Sequence, residues 1–420
     1  MVLTNDYEIK SCDDGELDIK RSSKLKFKLS FDDSKDIKAI VCVVAGIGAD
    51  ASSSYKDHLA TTIASKLDVA VLCVDYHCIG INPGFGAVYS LDEIDKLIFK
   101  AVSKEIGFKL PLDFDEKVQN EDYLKHIISQ LDYFVGFLKE HNQLSQNYKA
   151  PIHVTFKPAR GEYQNMGIMS ATDIINALLF VRKKLPFKSK LSYIPAILVG
   201  SSHGGYVANI AAKIAPWCVE AVVDNSSWNL NADVTLKDGA LNMIGYGKEI
   251  DYTEYPRVKV LTPNIEMNIS NTTKWTSQKS SPYFFSPSRH QIRNFNNLEQ
   301  LKIQEPRTIY IGYHSKNDEL EKCEKKIEFY KNLKNLGFDA TLNVIDDESK
   351  IDGKLIKNLE HGMNMSIKEL ILKEVPKLLK KLKNAKNSDN NSICYLTDEW
   401  KYIFKEKAHK LVLSCEKRIF

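Results

Sequence analysis

Short runs of apolar, largely β-branched residues recur along this chain, each ending in a polar or glycine-containing turn. Ile37 to Ala45, Val69 to Val74, Ala196 to Val199, Val219 to Val223, Arg307 to Tyr313 and Ala340 to Ile345 have this form. The runs at Ile37, Val69 and Ala196 predict strands buried as in the interior of a parallel sheet, and the other three predict further strands. Between them lie segments with helical spacing: about Tyr55 to Lys66, Ile168 to Lys184, Tyr206 to Ile214 ahead of Pro216, and Leu320 to Leu336, which Gly337 closes. Strands and helices in alternation predict right-handed crossovers and an α/β fold, a mostly parallel central sheet flanked by helices. The opening differs, because Leu17, Ile19, Leu25, Phe27 and Leu29 alternate around Arg21-Ser22-Ser23 and predict an antiparallel hairpin.

Two stretches interrupt the alternation. About ninety residues separate the second parallel strand from the helix at Ile168, far more than a connection needs. Within them Leu91 to Ile106 and Glu121 to His141 have helical spacing, the second with Ile127, Leu131, Val135 and Leu138 on one broad face. Such a pair is either a cap over a site or a decoration packed on the sheet. The later stretch is rich in asparagine, serine and aromatics such as Trp275, Tyr283, Phe284 and Phe285; a substrate loop and a packed surface excursion share that composition. The expected layout is therefore core at 1–84, helical insertion at 85–165, core with a serine turn at 166–228, irregular insertion at 229–300, and core at 301–375. A C-terminal helical extension is expected at 376–420, beyond a basic amphipathic helix that Pro376 interrupts.

Composition narrows the class. With 43% hydrophobic residues in 420, the chain can bury the core of one large domain with insertions or of two domains. Lysine and arginine total 58 against 54 acidic residues, and a formal charge of +4 is too small to predict nucleic acid or an anionic membrane as partner. Met1 to Asp6 has neither the basic segment nor the apolar core of a signal peptide, and no run approaches the roughly 20 apolar residues that span a bilayer. A cytoplasmic location is expected. The eight cysteines are scattered with no C-x-x-C pair, the pattern of reduced thiols rather than of a zinc site or a disulfide framework.

The run at Ala196 ends in Gly200-Ser201-Ser202-His203-Gly204, a G-x-S-x-G pattern. In it a serine sits on a tight strand-to-helix turn, and its neighbours two positions away must be small to avoid collision. Ser202 is the candidate nucleophile. A serine hydroxyl needs a base to take its proton, an acid to orient that base, and donors for an oxyanion. Asp318 lies just past the strand ending at Tyr313, where its alternative role is to cap the helix starting at Glu319. His361 stands in a loop after the last strand with Gly362 beside it, the alternative being an ordinary surface histidine. Nucleophile, acid and base follow one another along the chain in that order.

On these residues the chain resembles the α/β-hydrolase superfamily, over Ile37–Asp50, Val69–Gly84, Ala196–Trp217, Val219–Trp228 and Arg307–Met365. In outline it is similar to poorly characterised bacterial hydrolase-like proteins with a long insertion before the nucleophile strand. The resemblance implies a Ser202–His361–Asp318 triad, with Asp224 as reserve acid because some members place the acid after the preceding strand. It implies an oxyanion hole from the backbone amides of His203 and of Ile47 or Gly48, although Ala45 stands where the superfamily usually has a histidine. It implies a serine hydrolase acting on an ester or thioester of a small-molecule acyl substrate, with no cofactor and no metal. A peptidase of prolyl-oligopeptidase type, an acyltransferase on the same triad, and a hydrolase-like binding protein are the other readings.

Overall fold

The computed structural model describes residues 1–46, 54–80, 87–228 and 258–419. Eight strands make the large sheet. In chain order they are β1 (Val2–Ile9), β2 (Leu25–Asp32), β3 (Ala39–Val44), β4 (Val69–Asp75), β5 (Ala196–Ser201), β6 (Ala221–Asn225), β7 (Ile309–Ser315) and β8 (Ala340–Ile345). Their spatial order is β1-β2-β4-β3-β5-β6-β7-β8. β2 runs antiparallel to both its neighbours, and every pair from β4 to β8 is parallel. This is the α/β-hydrolase order, with the one reversed strand near the edge. Residues β3 to β6 are almost wholly buried, as two-sided burial between helix layers requires.

The two faces of the sheet use alternate residues of each strand. Val41, Val71, Ile197, Val199, Val223 and Ile309 share one core with helices Ser54–Lys66 and Ile367–Lys381. The second of those helices runs through Pro376, because Leu370, Ile371, Val375 and Leu378 all bury their side chains. Burying each is worth about 1.5–3 kcal/mol, more in sum than the ~3 kcal/mol that an interior proline costs. Helices Ile168–Lys184 and His203–Ile214 pack on each other and on the sheet.

One expectation is corrected at the C-terminus. Residues beyond the last helix form not a helical extension but a three-stranded antiparallel sheet, Ser392–Leu396, Trp400–Lys407 and Lys410–Lys417. Its lysines alternate with Tyr395, Tyr402, Phe404 and Leu411, and those four are fully buried, so the period is two rather than 3.6. Two of the buried tyrosines end in polar partners: Tyr395 donates to the Lys213 carbonyl at 2.6 Å and Tyr402 to Glu16 Oε1 at 2.6 Å. Glu16 also accepts from Arg293 Nη1 at 3.0 Å and Nη2 at 2.5 Å. Burial raises its pKa, but the Arg293 guanidinium outweighs burial and holds the carboxyl below its usual range. The hairpin expected around Arg21-Ser22-Ser23 is corrected too: Leu25–Asp32 pairs instead with Val2–Ile9, while Asp14 draws the Glu16 and Leu17 amides into a turn that leaves the 17–19 segment one isolated bridge, Asp14 to Ile19.

The chain divides into two compact units, and the second comprises Gly80–Gln164 with Asp233–Phe285. The first insertion is therefore not purely helical, nor is the second wholly irregular. Val88–Ser90, Ala150–Lys157, Ile265–Asn271 and Val258–Leu261 form a four-stranded sheet in that order, with Ala150–Lys157 and Ile265–Asn271 parallel. Helices Glu93–Ile106 and Glu121–Glu140 share a core with it through Phe99, Leu124, Ile127, Leu131, Ile152 and Ile265. Asp92 and Asp95 close a reciprocal capping box on the first of these helices, and Gly107 ends it in the left-handed conformation. Among the described residues, no helix is long and apolar enough to cross a membrane.

Candidate active site

β5 stops at Ser201, and the helix His203–Ile214 starts two residues later. Ser202 makes the reversal with φ 53° and ψ −123°, a region an L-residue enters only under constraint. Such a conformation costs about 1–3 kcal/mol and persists where the surroundings over-determine it. The constraint is visible on both sides. Ser202 N–H donates to the Asn225 carbonyl at 2.8 Å, and the Ser202 carbonyl accepts from Tyr206 N–H at 3.0 Å. A Cβ on Gly200 would lie 2.4 Å from the Gly204 carbonyl, and one on Gly204 would lie 2.3 Å from the carbonyl oxygen of Val44. Both glycines are needed for strand and helix to meet this closely.

His361 and Asp318 reach this serine from loops after β8 and β7. His361 Nε2 is 2.8 Å from Ser202 Oγ, and His361 Nδ1 is 3.0 and 2.9 Å from the two oxygens of Asp318. A carboxylate opposite Nδ1 places the proton there and leaves Nε2 to accept from the serine. Asp318 is 5% exposed and also accepts the backbone N–H groups of Leu320 and Glu321, each at 3.0 Å. Burial pushes its pKa up. The His361 hydrogen bond and the Glu321 amide outweigh that, so the carboxyl sits below its usual range. The helix that follows begins only at Cys323, so Asp318 closes a turn of its own loop rather than capping that helix. His314 Nε2 donates to the Glu321 carbonyl at 2.8 Å and lies 3.7 Å from Asp318. Burial first, and Lys326 second, lower its pKa and keep it neutral.

Asp224, the reserve acid, faces elsewhere. Its carboxylate pairs with Lys326 Nζ at 2.6 Å and accepts from Ser227 Oγ at 2.6 Å and Ser227 N–H at 2.9 Å. Burial raises its pKa, but Lys326 and the Ser227 hydrogen bonds outweigh burial and hold the carboxyl below its usual range. His203 opens its helix, where the first backbone N–H groups have no intrahelical acceptor. Ile47 and Gly48 lie outside the described residues. Tyr76 was not marked by any sequence pattern beyond its place after a buried strand. Its hydroxyl donates to the Ala45 carbonyl at 2.6 Å and stands 3.4 Å from His203 Nδ1, joining the end of β3 to the serine turn. Burial lowers the His203 imidazole to about 4, so it is neutral. Among the described residues, no cluster of histidine, cysteine and carboxylate side chains could hold a metal ion.

A family model described as a protein of unknown function (DUF2920) matches residues 5–415, nearly the full chain. The chain belongs to the DUF2920 family. No curated protein matches this DUF2920 sequence. Among solved structures it is similar to esterase Est22, at 12% identity over 91% of this chain and 78% of that one, with a TM-score of 0.42. An esterase from Pyrobaculum calidifontis matches at 12% identity over 91% and 86%, with a TM-score of 0.42. An esterase from Pyrococcus furiosus matches at 14% over 91% and 92%, also at 0.42.

Proposed function

We propose that this DUF2920 chain is a serine hydrolase that cleaves an ester or thioester through a covalent acyl-enzyme on Ser202. The observation that carries the reading is the continuous relay from Ser202 Oγ through His361 to Asp318, with both links at 3.0 Å or less. In the mechanism, His361 Nε2 takes the hydroxyl proton as Oγ attacks the acyl carbonyl. The oxyanion accepts the His203 N–H, and the amide of Ile47 or Gly48 is the proposed second donor. The tetrahedral species collapses as His361 returns its proton to the departing alcohol or thiol. Water, deprotonated by the same imidazole, then attacks the acyl group and restores the serine. Asp318 holds the ring in one tautomer and balances the imidazolium charge.

Labelling by a fluorophosphonate and hydrolysis of p-nitrophenyl acetate test the reading directly. The native chain is expected to react with both, and Ser202→Ala is expected to lose labelling completely and turnover by at least about 10³-fold, with its unfolding midpoint retained. Undiminished turnover in that variant, or a native chain inert to both reagents, would refute it.

A further inference from the structure

Asn225 ends β6, is 1% exposed, and faces the two turns that carry Ser202 and His361. Its Nδ2 donates to Ser201 Oγ at 2.9 Å and to the Gly362 carbonyl at 3.0 Å. A carbonyl acceptor assigns the amide orientation, since only the NH₂ end can face it, and both N–H donors are then used. The backbone carbonyl of the same residue accepts the Ser202 N–H at 2.8 Å. One residue thus holds the nucleophile by its own amide, by the residue before it, and the base by the residue after it.

The base turn needs an outside tether. Gly362, Met363 and Asn364 have φ of 73°, 53° and 41°, three left-handed residues in succession. Glycine accepts this readily, asparagine tolerates it, and Met363 does not. Hydrogen bonds from Met363 N–H to the Glu360 carbonyl at 2.9 Å and from Met365 N–H to the Gly362 carbonyl at 3.0 Å act within the turn. The buried Met363 side chain and the His361–Asp318 pair anchor it to the core and to the loop after β7, and the Asn225 amide is what joins it to the nucleophile strand. The Ser315 hydroxyl donates to the Leu359 carbonyl and ties the approach to β7. Against β5 the two turns pack face to face, since a Cβ on Gly362 would come within 3.8 Å of Ser201 Oγ.

We propose that Asn225 is a positioning residue that sets the Ser202–His361 distance by holding both turns on one planar amide. The inference rests on the hydrolase reading above. Two acceptors sharing one nitrogen can stand no more than about 6 Å apart, so the amide limits how far the base turn can drift from the nucleophile strand. A drift of about 1 Å at reacting atoms is worth about 10²-fold in rate.

The test uses p-nitrophenyl acetate turnover and fluorophosphonate labelling of the full chain, for the native protein and for Asn225→Asp, Asn225→Ala, Ser201→Ala and the Asn225→Ala/Ser201→Ala double variant. Asn225→Asp keeps the shape but sets a carboxylate against the Gly362 carbonyl. It is expected to lose about 30–100-fold in kcat with KM unchanged, more than Asn225→Ala at about 10-fold, while Ser201→Ala loses about threefold. The double variant should be no worse than Asn225→Ala, because both changes break the same tether. A packing role reverses the first order, leaving Asn225→Asp near native and Asn225→Ala the worst, and that ranking would overturn the proposal. Multiplicative losses in the double variant would overturn it as well, and Ser201→Ala supplies a kinetic measurement if the Asn225 variants fold poorly. A native chain that hydrolyses the ester while Asn225→Asp matches it sinks the Asn225 inference alone. An inert native chain sinks the hydrolase reading and this inference with it.

Discussion

Gly204→Ala measures how tightly the serine turn is held against the end of β3. The added Cβ would lie 2.3 Å from the Val44 carbonyl oxygen, 2.7 Å from that of Ala45 and 2.9 Å from the Ala45 carbonyl carbon, where ordinary contact begins near 3.4 Å. All three atoms are backbone, so no side chain can swing aside. Relief needs a relative movement of strand and helix of about 1 Å, which overpacking data price at about 1–3 kcal/mol. The same movement carries Ser202 and the His203 amide with it, and about 10²-fold in kcat/KM should follow. Gly136→Ala is the comparison: it lies within the helix Glu121–Glu140, and its Cβ would meet only the tip of the Asn264 amide at 3.1 Å. Helix propensity favours that alanine by up to about 1 kcal/mol, set against shifting an amide that donates to the Asp132 carbonyl at 3.1 Å, so its midpoint should move far less than that of Gly204→Ala and its activity should stay native. Urea unfolding and p-nitrophenyl acetate kinetics on both variants decide the matter. If Gly204→Ala keeps its midpoint and stays within about threefold of native activity, the close approach argued for this turn is wrong.

Two more predictions concern buried charge. His203 titrates near 4 when folded against an ordinary value of 6.5, so the folded chain binds fewer protons in that interval. Stability should therefore be intact above pH 6.5 and fall as pH drops towards 4, by about 3 kcal/mol from this residue. His290, which burial pushes to about 3, acts in the same direction. Urea midpoints between pH 7 and 4 for native chain and His203→Gln should show a shallower slope in the variant; equal slopes would discard this account. Lys326→Met leaves Asp224 buried without its 2.6 Å partner and should cost about 3–5 kcal/mol, much of it restored by adding Asp224→Asn. A loss under about 1 kcal/mol for the single change would mean that the pair is not the anchor of this region.

The core strands were legible because two-sided burial writes itself as unbroken apolar runs: the run Val69 to Val74 is the buried strand Val69–Asp75 but for its last residue. The serine turn was legible from small residues spaced by two around Ser202. Asp318 and His361 were singled out only by lying after strands, and the structure places them beside Ser202 across 43 and 159 residues of separation between successive partners. What stayed hidden depends on distant partners. The second unit's central pairing joins Ala150 to Ile265, so neither segment carries a local mark of the other. β1 was missed because Asn5 interrupts its inward side of Leu3, Tyr7 and Ile9, and that side is only half-buried. The C-terminal strands were read as helix because lysines at Lys401, Lys405 and Lys407 mask the inward Tyr402 and Phe404. Asn225 has no motif at all, since its two acceptors lie 24 and 137 residues away.

The cluster of Glu16, Arg293 and Tyr402 has a consequence for how the chain is made. Glu16 and the tyrosine that donates to it are separated by 386 residues, and both are buried. At ~5–20 residues per second, a ribosome takes roughly 20–80 s to supply the second after the first. Throughout that interval the carboxylate has to remain hydrated, because sealing it without its full set of donors costs more than it returns. The segment around Glu16 is therefore sealed only once the strand Trp400–Lys407 has been made and brings Tyr402 onto the carboxylate.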